Sequence, residues 1–370
     1  MTTTADVIII GGGIAGMSLA ARLAADRQVV LLEAEDQFAY HSTGRSAAMF
    51  IVNYGPPVIR QLNRLSEDFF RNHEGFSDTP LLSPRGQMTI DFGDDSESFE
   101  TYITGSHGLE ILNAKEATSL VPILNEDQVQ RAAYESHASE VDVHQLFTCF
   151  QRRAKASGAQ LHKNRQVQAI TTLSNGAWQV KTKDEVYEAP IVVNAAGAWA
   201  DQIAIMAGVA PCQITPKRRS AVMIPGPHGS EAWPMFVPAA ENWYAKPDAG
   251  RLMISPADQD PVEAHDAYPD DMVLAEGIDR FSQKTTLEVT RIERSWAGLR
   301  SFAPDHDPVV GFDPDHHGFF WLAGQGGYGI QTSPALSRFA ANLILEQAED
   351  QRLQLSLSPS RFPARGKSCA

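Results

Sequence analysis

The chain has 370 residues, 43% apolar and 21% charged, which is the make-up of an ordinary globular protein but too long for one compact core. A net charge of −14 excludes a nucleic-acid partner, which needs clustered Lys and Arg, and excludes polybasic attachment to an anionic membrane. Cys149, Cys212 and Cys369 are widely spaced, which excludes a disulfide framework or a cysteine zinc site and fits a reducing compartment.

No basic region precedes the first apolar stretch, which runs straight into glycines and so reads as a strand rather than a secretory signal. No apolar run approaches the roughly 18 residues of a membrane helix. A cytoplasmic protein with no integral membrane segment is expected.

In chain order, Val7 to Ile10 reads as a parallel strand buried on both faces, Ile14 to Ala25 as a helix, and Val29 to Leu32 as a second buried strand ended by Glu33. Between the first strand and the helix stands Gly11-x-Gly13-x-x-Gly16. Gly11 permits the tight turn, Gly13 lets backbone approach a pyrophosphate, and Gly16 lets helix and strand lie close. Ile14 and Ala15 open the helix whose N-terminus would face that anion. Glu33, at the end of the second strand, suits the hydroxyls of an unphosphorylated ribose. A dinucleotide is expected, NAD or FAD.

The irregular segment from Tyr40 to Gly55 contains His41, Ser42, Thr43, Gly44, Arg45, Ser46, Ala47 and Ala48. Its hydroxyls, N–H groups and guanidinium suit a pyrophosphate and the polar edge of a flavin. Leu81 to Phe92 carries strand-like residues. Val141 to Gly158 reads as a helix closed by its glycine. Strands follow at Val167 to Ile170, Trp178 to Thr182 and Ile191 to Asn194. Residues from Pro211 to Phe302, rich in Pro, Trp and Met, read as a largely antiparallel sheet. Phe319 to Leu322 is again a buried strand, a helix is expected over Pro334 to Gln347, and a loosely held tail after Leu353. Ahead of that helix lie Gly326, Gly327, Tyr328, Gly329, Ile330, Gln331, Thr332 and Ser333. Backbone N–H groups and a helix dipole there would face the pyrimidine of a flavin and favour its reduction. These two segments choose FAD over NAD.

The ordered set GGGIAG, HSTGRSAA, VVNAAGAWAD (192–201), WAGLRSFAPD (296–305) and GQGGYGIQTS resembles the D-amino-acid oxidase superfamily of flavoproteins. Within it the pattern is most similar to bacterial D-amino-acid dehydrogenases, arginine-specific ones included. The resemblance implies α/β plus α+β architecture. It places a Rossmann-like FAD-binding domain at 1–80, 141–210 and 303–370, and a substrate domain on an antiparallel sheet at 81–140 and 211–302, with non-covalent FAD between them. It implies that Val167 contacts adenine through its backbone and that Ala195, Ala196 and Gly197, with Trp199, line the flavin side. It implies oxidative deamination of a D-amino acid by hydride transfer from Cα to flavin N5, and hydrolysis of the imino acid to a 2-oxo acid and ammonia.

By the same resemblance, Arg219, Arg300, Tyr54 and Tyr244 form the carboxylate site, and Met235, Val237 and Gly327 belong to the pocket. A bidentate guanidinium fixes a planar carboxylate well. Where the arginine-specific relatives place a glutamate, this chain has Gln87, which predicts a preference for neutral over cationic side chains. No strong base stands out, so activity is expected to rise with pH on one ionisation, that of the substrate amine. Arg251 to Pro256 lacks the lysine that oxidases of the sarcosine branch hold over the flavin, which favours a quinone-like acceptor over O2. The same arginines would serve a 2-hydroxy acid or a secondary amine, and a flavin-binding assembly factor without turnover would keep the nucleotide motifs.

Overall fold

A computed structural model describes residues 2–73 and 75–362, so Cys369 lies outside the described residues. A six-stranded sheet runs in the order Gln160–His162, Val29–Leu32, Val7–Ile10, Ile191–Asn194, Phe319–Ala323, Val309–Phe312. All neighbours are parallel except the last pair. Val7–Ile10 and Val29–Leu32 are buried along their whole length, as their unbroken apolar sequences require. Helices Ile14–Leu23, Pro57–Arg71, Val143–Ala156 and Gly329–Ile344 cover one face. A four-stranded sheet covers the other. That sheet contains Val167–Thr172 and Trp178–Thr182, which therefore do not join the same sheet as Ile191–Asn194.

A nine-stranded sheet makes up the other large layer, in the order Gln325–Gly326, Arg294–Phe302, Thr215–Pro225, Arg251–Ser255, Tyr244–Asp248, Met235–Pro238, Gln87–Asp91, Arg131–Glu135, Glu110–Leu112. It is antiparallel except where Met235–Pro238 runs parallel to Gln87–Asp91. Its side chains alternate with period two. Val222, Ile224, Leu252, Ile254 and Ala245 pack on one face under the helix Asp271–Lys284 and its neighbours. Ala221, Met223, Met253 and Tyr244 point to the other face. Every strand but Gln325–Gly326 comes from the two chain spans expected to hold the antiparallel sheet.

Three expected boundaries move. Val141 ends a strand, and Asp142 caps the helix Val143–Ala156 by accepting from the Gln145 N–H at 2.8 Å; Gly158 follows it at φ +93°. The late helix begins at Gly329, five residues before Pro334. Pro334 has no N–H to give the Ile330 carbonyl, and the Ser333 hydroxyl bonds that carbonyl instead at 2.9 Å. Ser333 thus serves the helix interior. The described residues after Leu353 are not loose. They form the helix Gln351–Leu357 and a turn in which Arg361 pairs with Asp305 at 2.6 Å.

Candidate active site

Two adjoining cavities lie between these layers. The first is a long cleft lined by Ile10 to Ala15, Leu32 to Glu35, Arg165 to Val167, Ala195 to Trp199 and the start of the late helix. Gly11 has φ +114°, and a Cβ there would lie 2.3 Å from the Ala195 carbonyl oxygen. A Cβ on Gly16 would lie 2.0 Å from the Gly11 carbonyl oxygen, so Gly16 serves packing behind the cleft rather than lining it. At Gly13 the nearest atom would be the Thr43 hydroxyl at 3.3 Å, which leaves the helix N-terminus open. The Glu33 carboxylate accepts from the Gly12 N–H at 2.8 Å and the Glu35 N–H at 3.0 Å and still lines the cleft.

The segment His41 to Ala48 is used differently from the sequence expectation. The Ser42 hydroxyl donates to the Leu299 carbonyl at 2.6 Å, and the Thr43 hydroxyl accepts from the Ile14 N–H at 3.0 Å. Arg45 donates to the carbonyls of Ala267 and Ala297 at 2.8 and 3.0 Å and pairs with Asp266. His41 pairs with Glu35 at 2.9 Å and packs against Trp199. These groups lock the segment to the nine-stranded sheet and to the first helix. Their side-chain bonds run to protein, so an anion in the cleft would meet mainly backbone. Ser46 and Ala47 line both cavities, and Ala48 lines the second. Val167 is buried at a register shift in its strand and lines the cleft.

The second cavity is lined by Tyr54, Gln87, Met235, Val237, Arg219, Tyr244, Arg300, Gly327, Tyr328 and Gln331, with Glu241, Tyr102 and Arg60. It brings together all eight residues expected around the substrate. Sheet register explains the arginines. Arg219 stands opposite Gly298, two residues from Arg300 on the neighbouring strand, so both guanidinium stems leave the same face as diagonal neighbours. Arg219 donates through Nε to the Asp258 carbonyl at 2.8 Å and lies over the Tyr244 ring, 5.9 Å from its centroid. Arg218, on the opposite face, pairs with Asp258 and Asp260, so only one arginine of that basic pair serves the cavity. A Cβ on Gly327 would lie 2.9 Å from the Arg300 guanidinium carbon, so that glycine is what lets the arginine in.

Electrostatics follow from this crowding. Burial and the nearby Arg300 charge push Arg219 down, whereas Tyr54, Tyr244 and Tyr328 hold Arg300 above its ordinary value against its burial. Burial raises Tyr54, which stays a protonated donor; for Tyr244 burial is outweighed by Arg300 and Arg219, which lower it. Glu241 is exposed to the cavity, and desolvation within it raises the carboxyl despite both arginines. It was missed in the sequence, although a lone acid between Val237 and Tyr244 in chain order was a signal. Gln87 is 3% exposed, donates to the Thr89 hydroxyl at 2.8 Å and accepts from Tyr102 at 2.9 Å.

Seven residues line both cavities: Ser46, Ala47, Arg219, Tyr244, Arg300, Gly327 and Ile330. The late helix starts at this junction, where its first N–H groups have no carbonyl within the helix. The Gln331 side chain, 3% exposed, accepts from the Ile51 N–H at 3.2 Å, while its Nε2 has no hydrogen-bond partner among the described residues. A donor and a helix N-terminus here fit the acceptor-rich pyrimidine edge of a flavin. Tyr328 and Gln331 lie on the second-cavity side, and Thr332 lines neither cavity; it is fully buried and donates to the Tyr328 carbonyl at 2.9 Å.

A glycine-rich nucleotide cleft joined to an arginine-lined cavity defines the chain as a flavin-dependent oxidoreductase. Residues 6–343 match the family model described as FAD dependent oxidoreductase, and the chain belongs to that family, DAO, with FAD as its cofactor. It is 24% identical over 410 residues to FAD-dependent oxidoreductase domain-containing protein 1 of Xenopus laevis, covering 92% of this chain and 79% of that one. It is 25% identical over 363 residues to glycine oxidase of Geobacillus kaustophilus, covering 93% and 94%. Its fold is similar to that of L-proline dehydrogenase from P. horikoshii, with a TM-score of 0.84, 23% identity and 98% of both chains covered. No helix among the described residues is long and apolar enough to cross a membrane.

Proposed function

We propose that this enzyme oxidises a carboxylate-bearing amine at the carbon next to the carboxylate, and that its substrate is a D-amino acid. The observation that carries the reading is the pair Arg219 and Arg300 on the wall shared by both cavities. A carboxylate held there sits at the boundary of the two chambers, with its side chain directed into the second. FAD, when bound, supplies the two-electron acceptor for the Cα hydride equivalent. The residues proposed to hold it are the backbone from Gly11 to Ala15, Glu33, Val167, Ala195 to Gly197 and the late-helix N-terminus with Gln331. With His41 paired to Glu35, non-covalent binding is proposed, and acid precipitation should leave the yellow colour in the supernatant.

Arg300, Arg219 and the hydroxyls of Tyr54 and Tyr244 would pin the carboxylate, and misplacement by about 1 Å would cost on the order of 100-fold in rate. No lysine lines either cavity among the described residues. The substrate amine would lose its own proton before oxidation, so kcat/KM should climb with pH on one ionisation. The D configuration rests on the motif resemblance, since the named relatives include enzymes of glycine and of an L-amino acid.

Side-chain preference sets two features against each other. Gln87 offers a neutral amide already engaged by Thr89 and Tyr102, while Glu241 offers a carboxyl whose charge is disfavoured by desolvation. Neutral side chains are the proposed preference. The test is an anaerobic panel of D- and L-amino acids, sarcosine and 2-hydroxy acids, read as flavin bleaching. Fast reduction by D-leucine, D-methionine or D-phenylalanine supports the reading; reduction by 2-hydroxy acids alone or by none overturns it. A quinone-like acceptor is proposed, and steady peroxide formation at full turnover would replace it with O2.

A further inference from the structure

Behind the second cavity lies a carboxylate that the carboxylate site does not touch. Glu135 is fully buried on the cavity face of the nine-stranded sheet, directly opposite Gln87 in register. Its two oxygens accept from the Val52 N–H at 3.1 Å and the Asn53 side-chain amide at 2.8 Å; the Tyr102 hydroxyl, whose single proton goes to Gln87, lies 3.3 Å away, and His137 stands 3.2 Å away on the outer side. A buried carboxylate is costly unless donors converge on it, and here its neighbours come from separate parts of the chain.

These neighbours lead to the two different ends of the cavity. Val52 and Asn53 precede Tyr54, which lies beside Arg300. Asn63 holds the same loop from the other side, donating to the carbonyls of Ile51, Val52 and Tyr54 at 3.2, 3.4 and 3.0 Å. The loop is thus gripped through its carbonyls by Asn63 and through its N–H side by Glu135. Asn53 also exchanges two hydrogen bonds with the backbone of His107, at 2.9 and 3.1 Å, and so fixes the chain beyond the helix Ser96–Ile103 that carries Tyr102. Tyr102 in turn reaches Gln87 at 2.9 Å, at the side-chain end.

We infer that Glu135 is a positioning residue that sets both ends of the substrate cavity, holding Tyr54 toward the carboxylate through Val52 and Asn53 and fixing the Gln87–Tyr102 pair at the side-chain end. The selectivity half of this inference rests on the amino-acid reading above; the carboxylate half does not.

Three variants separate the two ends: Glu135→Gln, Asn53→Ala and Tyr102→Phe, each as the FAD-loaded full chain. Binding of pyruvate, a carboxylate with almost no side chain, is titrated by the change in flavin absorbance. The KM ratio of D-methionine to glycine reports the side-chain end. Asn53→Ala should weaken pyruvate about tenfold and shift the ratio less than Tyr102→Phe does, through its hold on His107 alone; Tyr102→Phe should shift the ratio and leave pyruvate within about twofold; Glu135→Gln should do both in full, with kcat at saturation changed less than KM. A merely structural role would lower the melting temperature of all three while moving neither readout, and that result overturns the inference. So would Tyr102→Phe weakening pyruvate as much as Asn53→Ala does. If Glu135→Gln fails to fold, the other two still decide each end. Should no amino acid reduce the wild-type flavin, the amino-acid reading falls, and the pyruvate titrations alone still judge the hold on Tyr54.

Discussion

The nucleotide cleft and the proposed substrate cavity share a wall but are built by opposite means. The cleft is made mostly of backbone: Gly11, Gly12, Gly13 and Gly197 leave out Cβ atoms, and the first turn of Gly329–Ile344 presents N–H groups. The polar side chains near it, Ser42, Thr43 and Arg45, are spent on protein partners. The cavity is made of side chains: Gln87, Arg219, Met235, Val237, Tyr244 and Arg300 come from one face of a sheet, on strands far apart in sequence, and helices and loops supply the rest. A backbone site is sensitive to added atoms, and a side-chain site to removed ones.

That contrast can be broken first at Arg300. Arg300→Met should lower kcat/KM by about 2–5 kcal/mol of transition-state binding, roughly 30-fold to several thousandfold, with FAD content unchanged. Loss of FAD in parallel would show that the two regions are not separable. Gly327→Ala sharpens the boundary: its Cβ would meet the Arg300 guanidinium at 2.9 Å, and steady-state kinetics should show a fall on the order of 100-fold, with FAD retained. Gly16→Ala should do the reverse. Its Cβ would meet the Gly11 carbonyl at 2.0 Å, so stability should drop by about 1–3 kcal/mol and FAD be lost more readily, seen by calorimetry and by the flavin-to-protein ratio.

The smallest effect is expected at Glu241. Its raised pKa, caused by desolvation, means the native state keeps a proton that the unfolded chain has already released. Stability therefore falls as pH rises from the ordinary carboxylate range through the raised native value. Glu241→Gln should remove this loss. Above the ordinary carboxylate range the variant's melting temperature should decline less with rising pH than the wild type's; equal slopes would place Glu241 in water.

The same contrast explains what could be read in advance. Gly11, Gly13, Gly16 and Glu33 sit within one continuous strand–turn–helix–strand unit, so their spacing encodes their geometry. Arg219 and Arg300 are separated by eighty residues and meet only through strand register, which no local pattern reveals; the family resemblance supplied them. Glu241 and Glu135 were passed over because neither stands in a motif, and a carboxylate's burial depends on which strands become neighbours. Pro334 hides the true start of the late helix from a reading of the sequence, because the Ser333 hydroxyl repairs the carbonyl that proline leaves and lets the helix start at Gly329. Arg45 was read as an anion ligand, since nothing in its own segment shows that Asp266, Ala267 and Ala297 would claim it.

The order of strands in the six-stranded sheet also bears on how the chain is made. Ile191–Asn194 is central, between Val7–Ile10 and Phe319–Ala323, so Val192 and Val193 lack a neighbour on one side until nearly the whole chain has left the ribosome. Such long-range parallel pairing is slow, and an uncovered apolar strand edge invites association with other nascent chains. Protection of that edge during synthesis, by a chaperone or by slow growth at low temperature, should govern how much soluble enzyme a host yields.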